Sequence, residues 1–60
     1  MIYYQLIRGT LDRHASIEDF PEEFKADVQE IAQRYNEALQ TDDYRVIWRD
    51  TKTNGKGYVK

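Results

Sequence analysis

The chain has 60 residues, with 9 Lys and Arg, 11 Asp and Glu, eight aromatic side chains and no cysteine. This length predicts a single domain over residues 1–60, and the absence of cysteine excludes disulfides and thiolate zinc sites. No apolar run reaches the roughly 18 residues of a membrane span, and the first residues lack the basic and apolar regions of a signal peptide. We therefore expect a soluble, cytoplasmic protein. Such a small domain buries little surface, so a protein partner or a homodimer is expected to add stability.

Residues 2–8 predict a first strand, because they are rich in β-branched and aromatic side chains and end at Gly9. Side chains alternate along a strand, so this segment has a core face and a second face. The core face is predicted to carry Ile2, Tyr4 and Leu6. Tyr3, Gln5 and Ile7 are predicted to lie on the second face.

Residues 9–20 predict a long irregular connection with one turn capped by Ser16. Two arrangements of this connection are open at the level of sequence. It lies away from the sheet, or it folds back and covers part of the second face with Leu11 or Ile17.

Residues 21–40 predict a helix that begins with Pro21 in its first turn. Apolar side chains recur at helical spacing and predict a stripe that faces the core, formed by Phe24, Val28, Ile31, Tyr35 and Leu39. A neighbouring charged stripe includes three acidic residues, Glu23, Asp27 and Glu30. Like charges three or four residues apart repel, which favours a surface that attracts a basic partner.

Residues 44–50 and 56–60 predict a hairpin around Asn54 and Gly55, since Asn-Gly is typical of a type I′ turn. In this register Thr53 pairs with Lys56 and Arg49 pairs with Lys60. The predicted fold is therefore α+β with order β-α-β-β: a small domain with a three-stranded sheet and one helix packed on one face. The first strand is predicted to lie either parallel beside the second or antiparallel beside the third.

The second sheet face has no helix to cover it in this arrangement. It is predicted to display mixed aliphatic, aromatic and cationic side chains, namely Tyr3, Ile7, Arg45, Ile47, Arg49 and Tyr58. Aromatic and arginine side chains are enriched in the centres of protein interfaces. These six residues, with the acidic Glu23, Asp27 and Glu30, are our predicted partner-binding residues.

The sequence gives little sign of catalysis. Asp12, His14 and Ser16 alternate, but in an extended chain they lie roughly 6.5–7 Å apart, beyond hydrogen-bond reach. One His with few neighbouring carboxylates supplies too few ligands for zinc, and no EF-hand spacing occurs. We expect no enzyme activity, no metal and no cofactor.

The leading functional interpretation is a non-enzymatic protein-binding module. It would act as an inhibitor or modulator that blocks a surface of a larger enzyme or nucleic-acid machine, and its size suits a phage or mobile-element origin. The alternative is a small nucleic-acid-binding regulator, because charge is divided along the chain. Residues 1–44 carry four Lys/Arg against ten Asp/Glu, a net of −6, whereas residues 45–60 carry five against one, a net of +4. The alternative uses the basic hairpin residues Arg45, Arg49, Lys52 and Lys56.

Overall fold

The computed structural model describes residues 1–59, and Lys60, with its predicted pairing to Arg49, lies outside them. These described residues form four strands and one α-helix. These are β1 (Ile2–Gly9), β2 (His14–Pro21), a 3₁₀ turn (Glu22–Phe24), α1 (Lys25–Leu39), β3 (Tyr44–Asp50) and β4 (Gly55–Tyr58). No helix within the described residues is long and apolar enough to cross a membrane.

The four strands form one antiparallel sheet in the order β2-β1-β3-β4, and α1 packs on one face of it. The α+β class with one helix on a sheet is confirmed, but the predicted three strands are wrong because β2 adds a fourth. This extra strand reverses the chain before the helix. As a result β3 lies antiparallel to β1, an arrangement that was not among the two predicted ones.

Strand β2 lies within the segment that was predicted to be an irregular connection. The reversal before it is a short turn in which the Thr10 N–H donates to the Arg13 carbonyl at 2.9 Å. Gly9 enables this turn: its φ is +125°, and a Cβ there would lie 2.5 Å from the Arg13 oxygen. Because β2 is a sheet edge exposed to water, it lacks the alternating apolar side chains that identify a strand in the sequence.

Helix α1 begins four residues later than predicted, because Pro21 ends β2 and a 3₁₀ turn intervenes. It ends at Leu39, and the following residue, Gln40, caps it with a left-handed φ of 52°. Asn36 then fastens the helix to the next strand: its amide accepts a hydrogen bond from the Tyr44 N–H at 3.0 Å and donates one to the Tyr44 carbonyl at 2.9 Å. This double contact sets where β3 begins.

The core between helix and sheet is small. Its buried members are Tyr4, Leu6, Val28, Ala32 and Val46. The predicted stripe of α1 was expected to face this core along its whole length. This prediction is wrong for Phe24, Tyr35 and Leu39, whose exposed fractions are 42%, 43% and 57%. Only Val28 and Ala32 of α1 are buried, so the apolar stripe is wider than the surface that the sheet covers.

The hairpin register differs from the predicted one. Asp50 pairs with Gly55 and Arg49 pairs with Lys56, so the loop has four residues, 51–54. A type I′ turn needs positive φ at both central residues, whereas Asn54 has φ 59° and Gly55 does not share it. The predicted pairing of Thr53 with Lys56 is therefore wrong. The predicted and observed registers of β4 against β3 differ by an even number of residues. Because side chains alternate between the two faces of a strand, each one keeps its predicted face.

Glycines in β4 leave room for the one tryptophan. Trp48 pairs with Gly57, and a Cβ at Gly57 would lie 2.7 Å from the indole Nε1. At Gly55 the nearest atoms to such a Cβ are the Thr53 Oγ1 at 3.2 Å and the Trp48 ring at 3.3 Å. The indole therefore lies against the β4 backbone most closely at Gly57.

We expect Gly57→Ala to lower the free energy of unfolding by about 1–3 kcal/mol, because the added methyl overlaps the indole and forces it or the strand to move. Urea unfolding followed by Trp48 fluorescence measures this loss. Gly55→Ala is the matched control and is expected to lose less. Equal losses at the two glycines would contradict the placement of the indole over Gly57.

Candidate functional site

The second sheet face is closed at its centre. Ile7 and Ile47 are both 0% exposed, and Gln5, which pairs with Ile47, is 6% exposed. The expectation that Ile7 and Ile47 are displayed is therefore wrong. They belong to a second, smaller apolar centre on the side of the sheet that carries no helix.

Long side chains at the edges of this face hold the neighbouring turn in place. The Tyr58 hydroxyl accepts a hydrogen bond from the Leu11 N–H at 2.7 Å, which links β4 to the turn after β1. The Arg45 guanidinium donates to the Gly9 carbonyl and, at 3.3 Å, to the Asp43 carbonyl. Tyr58 and Arg45 therefore have structural roles that the sequence did not indicate, although Tyr58 is still 44% exposed.

Gln5 is the polar group at the centre of this face. Its Nε2 donates to the Asp19 Oδ1 at 2.8 Å, while its Oε1 is buried and has no partner within the described residues. An unpaired buried carbonyl costs free energy, so Gln5 weakens the second apolar centre.

The remaining polar part of the second face is a row across three strands. Tyr3 pairs with Arg49, and Arg49 pairs with Lys56. Together with the hairpin loop they surround a pocket of about 190 Å³, lined by Tyr3, Arg49, Thr51, Asn54, Gly55 and Lys56. Within residues 1–59 neither Arg49 nor Lys56 forms an ion pair. The predicted binding residues Tyr3 and Arg49 thus lie together, beside Lys56.

Asp50 follows Arg49 in the chain but does not neutralise it. Its Oδ1 accepts the Lys52 N–H at 2.9 Å and lies 3.4 Å from the N-terminal nitrogen of Met1. The hydrogen bond from the Lys52 N–H holds the pKa of the Asp50 carboxyl below its usual value, and the N-terminal charge acts in the same direction. This carboxylate therefore joins the start of β1 to the hairpin.

The acidic residues predicted for binding lie on the helix side of the molecule. Glu23, Asp27 and Glu30 are all exposed, and Glu30 accepts a hydrogen bond from Arg34 at 2.8 Å. Beside them is a partly exposed apolar surface, which we call the helix shoulder, formed by Phe24, Ile31, Tyr35 and Ala38. The last three of these residues, together with Arg34, line a shallow depression. The Tyr35 ring stacks on the Tyr44 ring, with the ring centroids 5.0 Å apart. Tyr44 therefore covers one face of the Tyr35 ring, while 43% of Tyr35 is still exposed.

The structure does not join Asp12, His14 and Ser16 into a catalytic group. The His14 Nδ1 lies 2.8 Å from the Thr10 carbonyl and 3.2 Å from that of Leu11. Both of these atoms are acceptors, so Nδ1 carries the proton and the ring stabilises the turn. Residues 1–59 contain no cluster of three or more His, Asp or Glu side chains that could hold a metal ion.

Sequence reasoning missed two features of these surfaces. The first is Lys56 beside Arg49, which depends on a four-residue loop rather than the two-residue turn that Asn-Gly favours. The second is the exposed helix shoulder, because helical spacing shows which residues share a side but not how much of that side a sheet covers. A correct prediction of the hairpin loop length would have placed Lys56 opposite Arg49.

Comparisons with protein-family models, with curated proteins and with solved structures find no match for this chain. Its function must therefore be argued from its own residues.

The contribution of Asp50 to stability is expected to depend on pH. Because its folded pKa is lowered, this contribution is present above about pH 4, the unfolded value, and is lost as pH falls through the folded pKa. Asp50→Asn should therefore lower the urea midpoint at pH 7, and the difference from the original chain should shrink toward pH 2. Asp42→Asn, at an exposed residue, is the control and should change the midpoint little at either pH. A difference for Asp50→Asn that is unchanged at pH 2 would contradict the role of its charge.

Proposed function

We propose that this protein is a non-enzymatic protein-binding module whose helix shoulder docks into an apolar groove on a larger cytoplasmic protein. By occupying that surface it inhibits or modulates the partner without chemistry of its own. The observation that carries the proposal is the exposure of Phe24 (42%) and Tyr35 (43%) in the same apolar stripe as buried Val28. A stripe of this kind, half covered by its own sheet, leaves an apolar surface for another molecule.

Charge complementarity supports a basic partner. Acidic residues run along the solvent side of the helix shoulder, and Asp27 and Glu30 are exposed beside Ile31. Of these two, only Glu30 forms an ion pair within residues 1–59, with the exposed Arg34. Acidic residues around an apolar centre steer a partner whose groove is rimmed by lysine and arginine.

The same charges argue against a second copy of this chain as the occupant. Two copies that met through the helix shoulder would bring two acidic stripes together, and like charges across an interface cost binding free energy. A heterologous partner avoids this repulsion. The role first predicted for Ile7 and Ile47 as apolar anchors is not part of the proposal, because neither is exposed.

Site-specific photocross-linking tests the contact surface. A photoreactive residue at Ala38, in the helix shoulder, is expected to cross-link a partner in cells, whereas one at Ala26 is not. Both alanines are exposed on α1, but at 3.6 residues per turn they lie on different sides of it. Mass spectrometry of the product identifies the partner, which can then be purified.

Affinity for the purified partner provides the quantitative test. Ala38→Lys is expected to weaken binding at least tenfold, because it places a cation in the apolar contact and opposite a basic rim. Ala26→Lys adds the same charge elsewhere and should change the dissociation constant less than twofold. Binding should also weaken as salt rises. Equal effects of the two variants, cross-linking only to a second copy, or binding only to nucleic acid would contradict the proposal.

A further inference from the structure

The pocket bounded by Tyr3, Arg49 and Lys56 holds two cations in an arrangement that costs stability. Arg49 and Lys56 lie directly opposite each other on neighbouring antiparallel strands. Like charges in this position destabilise a sheet, whereas opposite charges stabilise it. Within residues 1–59 no carboxylate pairs with either cation, and the adjacent Asp50 is occupied by the N-terminus and the Lys52 N–H. An anion between the two side chains would turn this repulsion into attraction.

The other groups of the pocket are suited to an oxyanion. Asn54 supplies an amide that can donate hydrogen bonds, and no acidic side chain lines the pocket. The Thr51 hydroxyl also lines it but already donates to the Met1 carbonyl at 3.3 Å. Arginine binds two oxygens of a tetrahedral anion through its planar fork, while lysine adds a point charge. The acidic Glu22 and Glu23 line a different depression, on the far side of Tyr3.

The size of the pocket limits the ligand. At about 190 Å³ it lies below the roughly 300–1,000 Å³ of pockets for drug-sized molecules. It therefore accommodates a single small group rather than a whole cofactor. The half-buried Tyr3 forms one wall, so an aromatic group attached to the anion can lie against its ring.

We infer that this pocket binds a dianionic phosphate group, as inorganic phosphate or as the phosphate monoester of a small aromatic molecule. Two cations match the two charges of a monoester, whereas a backbone phosphodiester carries only one. The site lies on the sheet face without the helix, so it is separate from the helix shoulder and does not depend on the proposed protein-binding function.

Backbone ¹H–¹⁵N NMR of the full chain tests this site with two probes, inorganic phosphate and phenyl phosphate, at constant ionic strength and pH 7.5. We expect saturable shifts confined to the amides of residue 3, residue 49 and residues 51–56, which are the hairpin loop and the start of β4. Phenyl phosphate is expected to bind more tightly, because of Tyr3. Lys56→Gln should weaken binding at least fivefold, and Arg49→Gln should do the same.

Lys52→Gln is the matched control, because it removes one charge from the same hairpin but does not line the pocket, and it should weaken binding less than twofold. The folded state of each variant is read from the same spectra. Chemical-shift changes that do not saturate would show general attraction of phosphate to the basic hairpin. An equal loss of affinity in all three variants would show the same, and either result would overturn the proposed site. Tighter binding of an unphosphorylated oligonucleotide, abolished by Lys56→Gln, would overturn the monoester in favour of nucleic acid.

Discussion

Strand β1 is buried on both of its faces, and this constraint determines which surfaces the molecule leaves for binding. Four consecutive residues, Tyr4 to Ile7, are buried, so alternate side chains enter separate apolar centres. Tyr4 and Leu6 pack under the helix, whereas Ile7 lies with Ile47 on the other side. Residues 1–59 contain one α-helix, and it covers only one of the two sheet faces. On the other face, Tyr58 and Arg45 hold the turn after β1 through hydrogen bonds to Leu11 and Gly9.

The closed second face shifts the available apolar surface to the helix. Because α1 buries only Val28 and Ala32, the flanking Phe24 and Tyr35 remain in contact with water. Glu23, Asp27 and Glu30 lie beside this surface, while Arg49 and Lys56 lie on the sheet face without the helix. These two sets of charged side chains are therefore separated in space. It separates a surface suited to a basic protein from a pocket suited to a small anion.

The local sequence pattern was sufficient to predict the strands in which core-facing side chains alternate with side chains of the other face. The bounds of β3 match residues 44–50 as predicted, and the inward direction of Val46 and Leu6 follows from alternation. The helix was found from its spacing, although its start was placed too early. The prediction of which β3 and β4 side chains share a sheet face was right even though the pairing register was wrong. The register error was an even number of residues, which does not exchange the two faces.

Tertiary context determined what the sequence did not show. Strand β2 is held by pairing with β1 along one edge, which leaves its side chains free to be polar, so His14–Pro21 gave no strand pattern. On the face where Ile7 and Ile47 are buried, Tyr58 bonds Leu11, which is 47 residues away in the chain, and local pattern does not predict such a contact. Of the candidate sites, Tyr3 and Arg49 could be placed on one face from alternation. Their meeting with Lys56 needed the observed loop length.

The stability of an Ile47→Ala variant tests the closed second face most directly. Ile47 is completely buried in the structure, so truncation should cost about 2–5 kcal/mol of unfolding free energy in urea, read from Trp48 fluorescence. Ile47→Val should cost about 0.5–1.5 kcal/mol, which keeps the measurement informative if the alanine variant does not fold. Losses below about 0.5 kcal/mol for both variants would be typical of a surface residue and would contradict the account.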